Sequence, residues 1–125
     1  MCYNHPMIKS HVISSIVLLC LFFCTKGISQ NSGVASYYAD WFEGRKMANG
    51  EKYNPNILIC AHPTAPMGTF LKVTRRDHPG YSIIVKVTDR GPYVKGRIID
   101  LSKRAAQELD ILHIGIADVV ISYLD

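Results

Sequence analysis

The chain has 125 residues, with 14 Lys and Arg against 10 Asp and Glu and a formal net charge of +4. This weak positive charge does not favour a nucleic-acid-binding protein, which needs a strongly basic surface. The length predicts one small domain with a single core rather than two.

Residues 1–29 have the pattern of a secretory signal peptide. An uncharged apolar run over residues 12–24 follows Lys9 and precedes small and polar residues. The run is shorter than the ~20 residues that span a bilayer, so no stable membrane span is expected. A buried core helix is the alternative, but the run has no amphipathic period. We expect cleavage after Ser29 and export of residues 30–125 to the periplasm or cell envelope.

Cysteine usage differs between the leader and the domain. Three of the four cysteines lie in the leader, so Cys60 has no partner for an intrachain disulfide. Cys20 and Cys24 both follow large apolar residues, which disfavours a lipid anchor. A small exported domain without a disulfide needs a well-closed core, and a β-barrel is one solution.

Short strand-like segments follow one another along the domain: residues 34–38, 57–62 (a strand or one turn of helix), 69–76, 81–88, 97–100 and 117–124. Residues 43–56 are rich in Gly, Asn and Pro and predict a loop with an Asn-Gly turn. The Asp-His-Pro-Gly turn after residue 76 predicts a β-hairpin. A single helix is predicted over residues 103–109, capped by Ser102 or Asp100. This pattern favours a mostly β barrel over a doubly wound sheet.

Asp89 and Arg90 stand where an apolar strand ends. Alternate residues of this strand, from Ile83 to Val87, form its apolar face. If that phase continues, Asp89 points with the core residues and is partly removed from water. Such an environment suits a carboxyl group to hold or give a proton near neutral pH. An ion pair with Arg90 would oppose this, and capping of the turn at Gly91 is the alternative.

Four other polar side chains, taken singly, favour a structural interpretation. Glu51 follows the Asn-Gly turn and His62 follows a short apolar run, and both positions are typical of solvated residues. Asp100 fits the N-terminus of the predicted helix. Arg97 fits a side chain that lies along a strand or in an ion pair.

Cys60 and His62 form a single Cys-x-His pair. The other histidines of the domain, His78 and His113, fall in a turn and near the C-terminus. No zinc site, other metal or cofactor is therefore expected. Catalysis by a Cys–His pair is an alternative, although a lone buried cysteine is much more common.

Aromatic residues cluster around the Gly-rich loop: Tyr37, Tyr38, Trp41, Phe42 and Tyr53. Aromatic rings of this kind either stack on sugar rings or pack in a core.

Three segments together resemble the rare lipoprotein A-like domain, a six-stranded double-psi β-barrel of bacterial envelopes: GVASYYADWFEGRKMANGEKYN, CAHPTAPMGTFLKVT and VKVTDRGPYVKGRIIDLSKRAAQEL. The resemblance covers residues 33–125. Together and in this order, the motifs A-N-G-E, A-H, D-R-G-P and I-D-L-S are more specific for the family than any one of them alone.

The resemblance implies an endolytic lytic transglycosylase that acts on peptidoglycan glycan strands, with a preference for strands without peptides. We expect the domain to be a monomer. It implies cleavage of the β-1,4 bond between N-acetylmuramic acid and N-acetylglucosamine with a 1,6-anhydro product. The alternative is a non-catalytic glycan-binding module with the same groove, as in the related expansins.

The resemblance also implies the site residues. Its motifs place the catalytic positions on Glu51, His62 and Asp89. Asp89 is expected to be the acid and base, and the other two to orient the substrate or tune the pKa of Asp89. The substrate-binding positions that we expect are Tyr38, Asn49, Arg90, Arg97 and Asp100. Met47 stands where many relatives have threonine, and we expect the lost hydroxyl either to weaken sugar binding or to leave Asp89 short of a hydrogen-bond partner.

Overall fold

The structure is a computed structural model that describes residues 31–124. Its elements are β1 Asn31–Tyr37, a 3-10 turn Asp40–Phe42, β2 Ile59–Ala61, β3 Phe70–Arg75, β4 Ser82–Asp89, β5 Arg97–Leu101, α1 Lys103–Glu108 and β6 Ala117–Tyr123. Each predicted strand and the helix are confirmed, and the ambiguous run at 57–62 forms a strand. The 3-10 turn was not predicted. The predicted signal peptide lies outside the described residues.

The six strands form one closed barrel in the order β1-β5-β2-β4-β3-β6. The pairs β1/β5 and β2/β4 are parallel, and the other four pairs are antiparallel. The predicted six-stranded double-psi β-barrel with one short helix is therefore confirmed. Closure leaves no free strand edge, so every strand is hydrogen-bonded on both sides. Within residues 31–124, no helix has the length and apolar character needed to cross a membrane.

The barrel interior is filled by alternate side chains of the strands and by one face of α1. Its largest fully buried apolar residues are Leu71, Val73, Val85, Val87, Ile99, Leu101, Leu109, Ile111, Val119 and Ile121. Each Leu, Ile or Val buried in this way stabilises the fold by roughly 1.5–3 kcal/mol. Cys60 is a free cysteine within the same core, so packing takes the place of a disulfide.

Ser102 caps the helix α1. Its side-chain oxygen accepts a hydrogen bond from Ala105 N at 3.2 Å and its hydroxyl donates to Ile57 O at 2.6 Å. Of the two predicted caps, Ser102 is therefore the correct one, because Asp100 instead accepts a hydrogen bond from the hydroxyl of Ser36.

A β-bulge turns Asp89 away from the barrel interior. Cys60 pairs with Val87 and Ala61 pairs with Asp89, so Thr88 is an extra residue on β4. Ala61 belongs to a second buried cluster outside the barrel, which we call the outer cluster: Tyr38, Met47, Tyr53, Ile59 and Ala61. The half-buried position predicted for Asp89 is confirmed. The prediction that its side chain points into the core is wrong, because the bulge interrupts the alternation of side chains along β4.

Candidate active site

Three hydrogen-bond donors surround the carboxyl group of Asp89. Tyr38 Oη lies 2.5 Å from Oδ2, while Ala48 N and Arg90 N donate to Oδ1 at 2.8 and 2.9 Å. Oδ1 is therefore committed as an acceptor of two backbone N–H groups. Among the described residues, only the phenol of Tyr38 donates a hydrogen bond to Oδ2.

Tyr38 is held rigidly in the outer cluster. Only 9% of the residue is exposed, and its ring lies 4.5 Å from that of Tyr53 and 5.3 Å from that of Phe42, centroid to centroid. Burial, followed by the hydrogen bond to Asp89, strongly raises the pKa of the Tyr38 phenol. The phenol therefore stays protonated at physiological pH and acts as a donor.

The predicted Asn-Gly turn is confirmed, and it docks on the end of β4. Met47 N donates to Glu51 O at 2.8 Å, which closes the turn, and Asn49 N donates to Thr88 O at 3.2 Å. Gly50 has a φ of +93°, a conformation that glycine adopts without strain. This turn delivers Ala48 N to Asp89.

Met47 is buried and accepts a hydrogen bond from Thr88 Oγ1 through its sulfur, at 3.3 Å. The expectation that Met47 leaves Asp89 short of a hydrogen-bond partner is wrong. Tyr38 and two backbone N–H groups supply the donors, so no hydroxyl is needed at position 47.

Glu51 lies in the same turn but does not hydrogen-bond to Asp89. Its exposed carboxylate accepts from Asn49 Nδ2 at 3.1 Å, and Asn49 Oδ1 accepts from Glu51 N at 3.0 Å. The two side chains hold each other at the surface of the turn. The structure therefore brings Glu51 near the end of β4 and leaves its carboxylate open to solvent.

His62 is joined to Asp89 through the backbone, because His62 N donates to Asp89 O at 3.1 Å. The side chain is buried, and its Nδ1 accepts hydrogen bonds from Ala65 N at 2.9 Å and Thr64 N at 3.2 Å. The ring proton therefore resides on Nε2. Burial and the charge of Arg90 lower the pKa of His62, so the ring is a neutral donor at physiological pH.

Arg90 braces the turn that follows β2. Its Nη1 donates to His62 O at 3.1 Å and to Ala65 O at 2.6 Å. Only its backbone N–H reaches the carboxyl group of Asp89, so the ion pair considered from the sequence does not form.

Asp100 occupies the same level of the barrel as Asp89. In the strand register, Ser36 pairs with Asp100, Asp100 with Ala61, and Ala61 with Asp89. Because adjacent strands are about 4.8 Å apart, the two aspartate Cα atoms lie roughly 10 Å apart across Ala61. Sequence reasoning missed Ser36, since its hydrogen bond to Asp100 depends on a pairing of β1 with β5 that no local pattern encodes.

A cleft of about 430 Å³ opens beside Tyr38. Its lining includes Ser36, Tyr37, Tyr38, Asp40, Arg97 and Ile116. Tyr38 thus connects the cleft with Asp89, and the cleft brings Arg97 to the same side of the barrel.

The aromatic cluster divides into buried and exposed members. Tyr38 and Tyr53 pack in the outer cluster, and the hydroxyl of Tyr37 donates to Leu112 O at 2.8 Å. Trp41 is 62% exposed and stacks on Phe42, with 3.9 Å between ring centroids. Trp41 is therefore the member of the cluster best placed to stack on a sugar.

Cys60 is not placed as a nucleophile. It is completely buried, and burial, with the charge of Asp100, raises the pKa of the thiol to about 12. The thiolate that nucleophilic catalysis requires is therefore absent at neutral pH. Within the described part of the chain, no three His, Cys, Asp or Glu side chains are grouped to hold a metal ion.

Substitution of Cys60 by alanine is expected to leave turnover within about twofold of wild type and to cost roughly 1 kcal/mol of stability. Because the folded pKa of about 12 exceeds the usual 9.0, the thiol's contribution to stability is complete below pH 9 and is lost as pH rises towards 12. Urea unfolding at pH 7 and pH 10 should show a smaller alkaline loss in Cys60→Ala. Loss of activity in a folded Cys60→Ala variant would instead support the thiol mechanism.

Residues 30–121 match the family model described as lytic transglycolase. The chain is 51% identical over 87 residues to the endolytic peptidoglycan transglycosylase RlpA of Campylobacter jejuni, covering 70% of this chain and 31% of the relative. It is 44% identical over 103 residues to the protein of the same name from Rickettsia felis, covering 80% and 44%. The chain thus spans less than half the length of these relatives.

Solved structures share the fold. The Streptomyces papain inhibitor superposes with a TM-score of 0.62 at 24% identity, covering 78% of this chain and 96% of that one. A Clavibacter michiganensis expansin superposes with a TM-score of 0.59 at 22% identity, covering 77% and 50%. At these identities the likeness concerns the fold alone. By its sequence match over residues 30–121, the chain belongs to the lytic transglycolase family, and its barrel is an RlpA-like domain.

Proposed function

We propose that this chain is an exported endolytic peptidoglycan lytic transglycosylase, which acts as a monomer in the periplasm or cell envelope without a lipid anchor. The observation that carries the proposal is the half-buried carboxyl group of Asp89, fixed by three donors at the end of β4 and linked through Tyr38 to an open cleft. The names of the relatives from Campylobacter jejuni and Rickettsia felis support the same reaction.

Asp89 serves first as acid and then as base. Its protonated Oδ2 gives a proton to the glycosidic oxygen as the bond from C1 of N-acetylmuramic acid breaks. The C6 hydroxyl of the same muramic acid then attacks C1 and returns its proton to Oδ2. The products are a 1,6-anhydromuramyl end and a free N-acetylglucosamine end, and Asp89 is restored without consumption of water.

Tyr38, Ala48 and the backbone of Arg90 keep Asp89 in place through this cycle. The two N–H groups hold Oδ1, so only Oδ2 exchanges its proton. The Tyr38 phenol donates to Oδ2 when the carboxyl is ionised, and its oxygen accepts from Oδ2 when the carboxyl is protonated. Both protonation states are thus accommodated without movement of the backbone.

Glu51 and His62 act on the substrate rather than on the proton directly. The exposed carboxylate of Glu51 is available to sugar hydroxyls and to the positive charge that develops at C1. Neutral His62 offers Nε2–H as a donor. Arg90 and Asp100 support the site through their contacts with the 62–65 turn and with Ser36.

The variant Glu51→Gln is expected to lower kcat about tenfold and to change strand binding little, since glutamine keeps the hydrogen bond from Asn49 and removes the charge. Initial rates and cosedimentation with glycan strands measure the two effects. Glu43→Gln, which neutralises another exposed carboxylate, is the matched control. Wild-type turnover in Glu51→Gln would remove Glu51 from the site.

A non-catalytic glycan-binding module is the second candidate. The exposed ring of Trp41, stacked on Phe42, can hold a sugar without any proton transfer. Incubation of the exported chain with peptide-stripped glycan strands separates the two functions. Soluble anhydromuramyl fragments, detected by mass spectrometry, support the enzyme, whereas cosedimentation without fragments supports the binding module.

A further inference from the structure

The cleft beside Tyr38 contains an unpaired cation. Arg97 is exposed at the start of β5 and lines the cleft. None of the ion pairs among residues 31–124 includes it. The cleft also contains Asp40, but its carboxylate lies 3.2 Å from Lys103 Nζ and is thus partly neutralised. The guanidinium of Arg97 is therefore available to an anionic ligand.

The rest of the cleft suits a sugar. Ile116 is 50% exposed, and together with Tyr37 it provides an apolar wall against which the apolar face of a pyranose can pack. Tyr38 also lines the cleft, and its hydroxyl donates a hydrogen bond to Asp89, which lies behind it. A sugar in the cleft would therefore meet an apolar surface and a cation beside the tyrosine that contacts Asp89.

We propose that Arg97 is a specificity-determining residue that binds the free lactyl carboxylate of a muramic acid in the cleft. This inference rests on the proposed function, which makes a glycan strand the substrate. In peptidoglycan the stem peptide is attached to that carboxylate through an amide, so a substituted muramic acid carries no charge at this position. A planar guanidinium binds a free carboxylate through two parallel hydrogen bonds and cannot form them with an amide.

Another cleft of similar size provides a comparison. It holds Arg76 and Lys72 on the outer surface of β3 and β6, across the barrel from β2 and β5. Arg76 lies at the same level of the strand register as Arg97, through Val34 and Asp118, but it does not line the cleft that contains Tyr38. It is therefore a matched cation outside the proposed sugar site.

The test is a cycle that changes protein and substrate in parallel. Initial rates give kcat and KM for wild type, Arg97→Gln, Arg97→Lys and the control Arg76→Gln. The substrates are peptide-stripped strands and the same strands with their carboxylates converted to methylamides. We expect methylamidation to raise KM about tenfold for wild type and Arg76→Gln. Arg97→Gln should raise KM about as much on free strands and leave kcat unchanged. Its KM should then be the same on free and methylamidated strands. Arg97→Lys, which keeps the charge, should have a KM on free strands between those of wild type and Arg97→Gln.

The outcomes separate this inference from the proposed function. Two results would overturn the role of Arg97 even if cleavage occurs. In the first, Arg97→Gln raises KM above the wild-type value by the same factor on free and on methylamidated strands. In the second, it does not raise KM on either substrate. If no variant cleaves, the same cycle is measured as binding by cosedimentation. If methylamidation weakens binding to wild type but not to Arg97→Gln, the contact between Arg97 and the carboxylate is supported although the proposed reaction fails. If methylamidation weakens both equally or neither, the contact is overturned.

Discussion

Asp89→Asn is expected to lower the rate of anhydromuramyl fragment release by a factor of about 10² to 10⁴, the usual contribution of a general acid and base. Asparagine keeps the shape of the side chain, and its oxygen can still accept from Ala48 N and Arg90 N. It cannot give its proton to a glycosidic oxygen. Initial rates on peptide-stripped strands, with fragments counted by mass spectrometry, measure the loss.

Two controls accompany this variant. Asp118→Asn neutralises an exposed carboxylate at the start of β6 and should keep wild-type turnover. Cosedimentation of Asp89→Asn with glycan strands should equal that of wild type, because binding does not need proton transfer. A folded Asp89→Asn protein that turns over within tenfold of wild type would remove Asp89 from the proton transfer.

Tyr38→Phe is expected to lower kcat about 100-fold with little change in KM, since the loss of one preorganised donor at a reacting group costs about 10² to 10³ in rate. The phenylalanine ring still packs between Tyr53 and Phe42, but Oδ2 of Asp89 loses its partner at 2.5 Å. Removal of a hydrogen bond to a charged group also costs roughly 2 kcal/mol of stability.

Tyr53→Phe provides the matched control for Tyr38→Phe. It removes a hydroxyl from the same outer cluster, one that accepts from Lys103 N at 3.1 Å and does not touch Asp89. Both variants should lose stability in urea unfolding, and only Tyr38→Phe should lose kcat. Equal losses of kcat would show that the hydroxyl of Tyr38 acts through the packing of the cluster alone.

Local patterns predict the elements of this barrel well. Alternation of apolar residues marked β3, β4 and β6, and Asn49-Gly50 marked the turn that carries Ala48 to the site. The order of the strands was out of reach because it depends on pairings between distant segments, such as Ser36 with Asp100. Their hydrogen bond therefore had no signal in the sequence.

The orientation of Asp89 shows where local reasoning fails. The two-residue period of β4 predicts a core-facing carboxyl, but pairing with β2 inserts Thr88 as a bulge and turns Asp89 to the outer cluster. Glu51 and His62 carried no distinguishing pattern by themselves, and resemblance to a family singled them out. The structure shows that both are tied to the end of β4, one through a docked turn and the other through its backbone.

The most direct test of the proposed lytic transglycosylation is the mass of the new strand ends formed in water enriched with ¹⁸O. Attack by the muramic C6 hydroxyl predicts 1,6-anhydro ends that carry no ¹⁸O and are one water lighter than hydrolytic ends. Muramic ends that carry ¹⁸O would contradict transglycosylation, and the absence of new ends despite strand binding would contradict catalysis altogether.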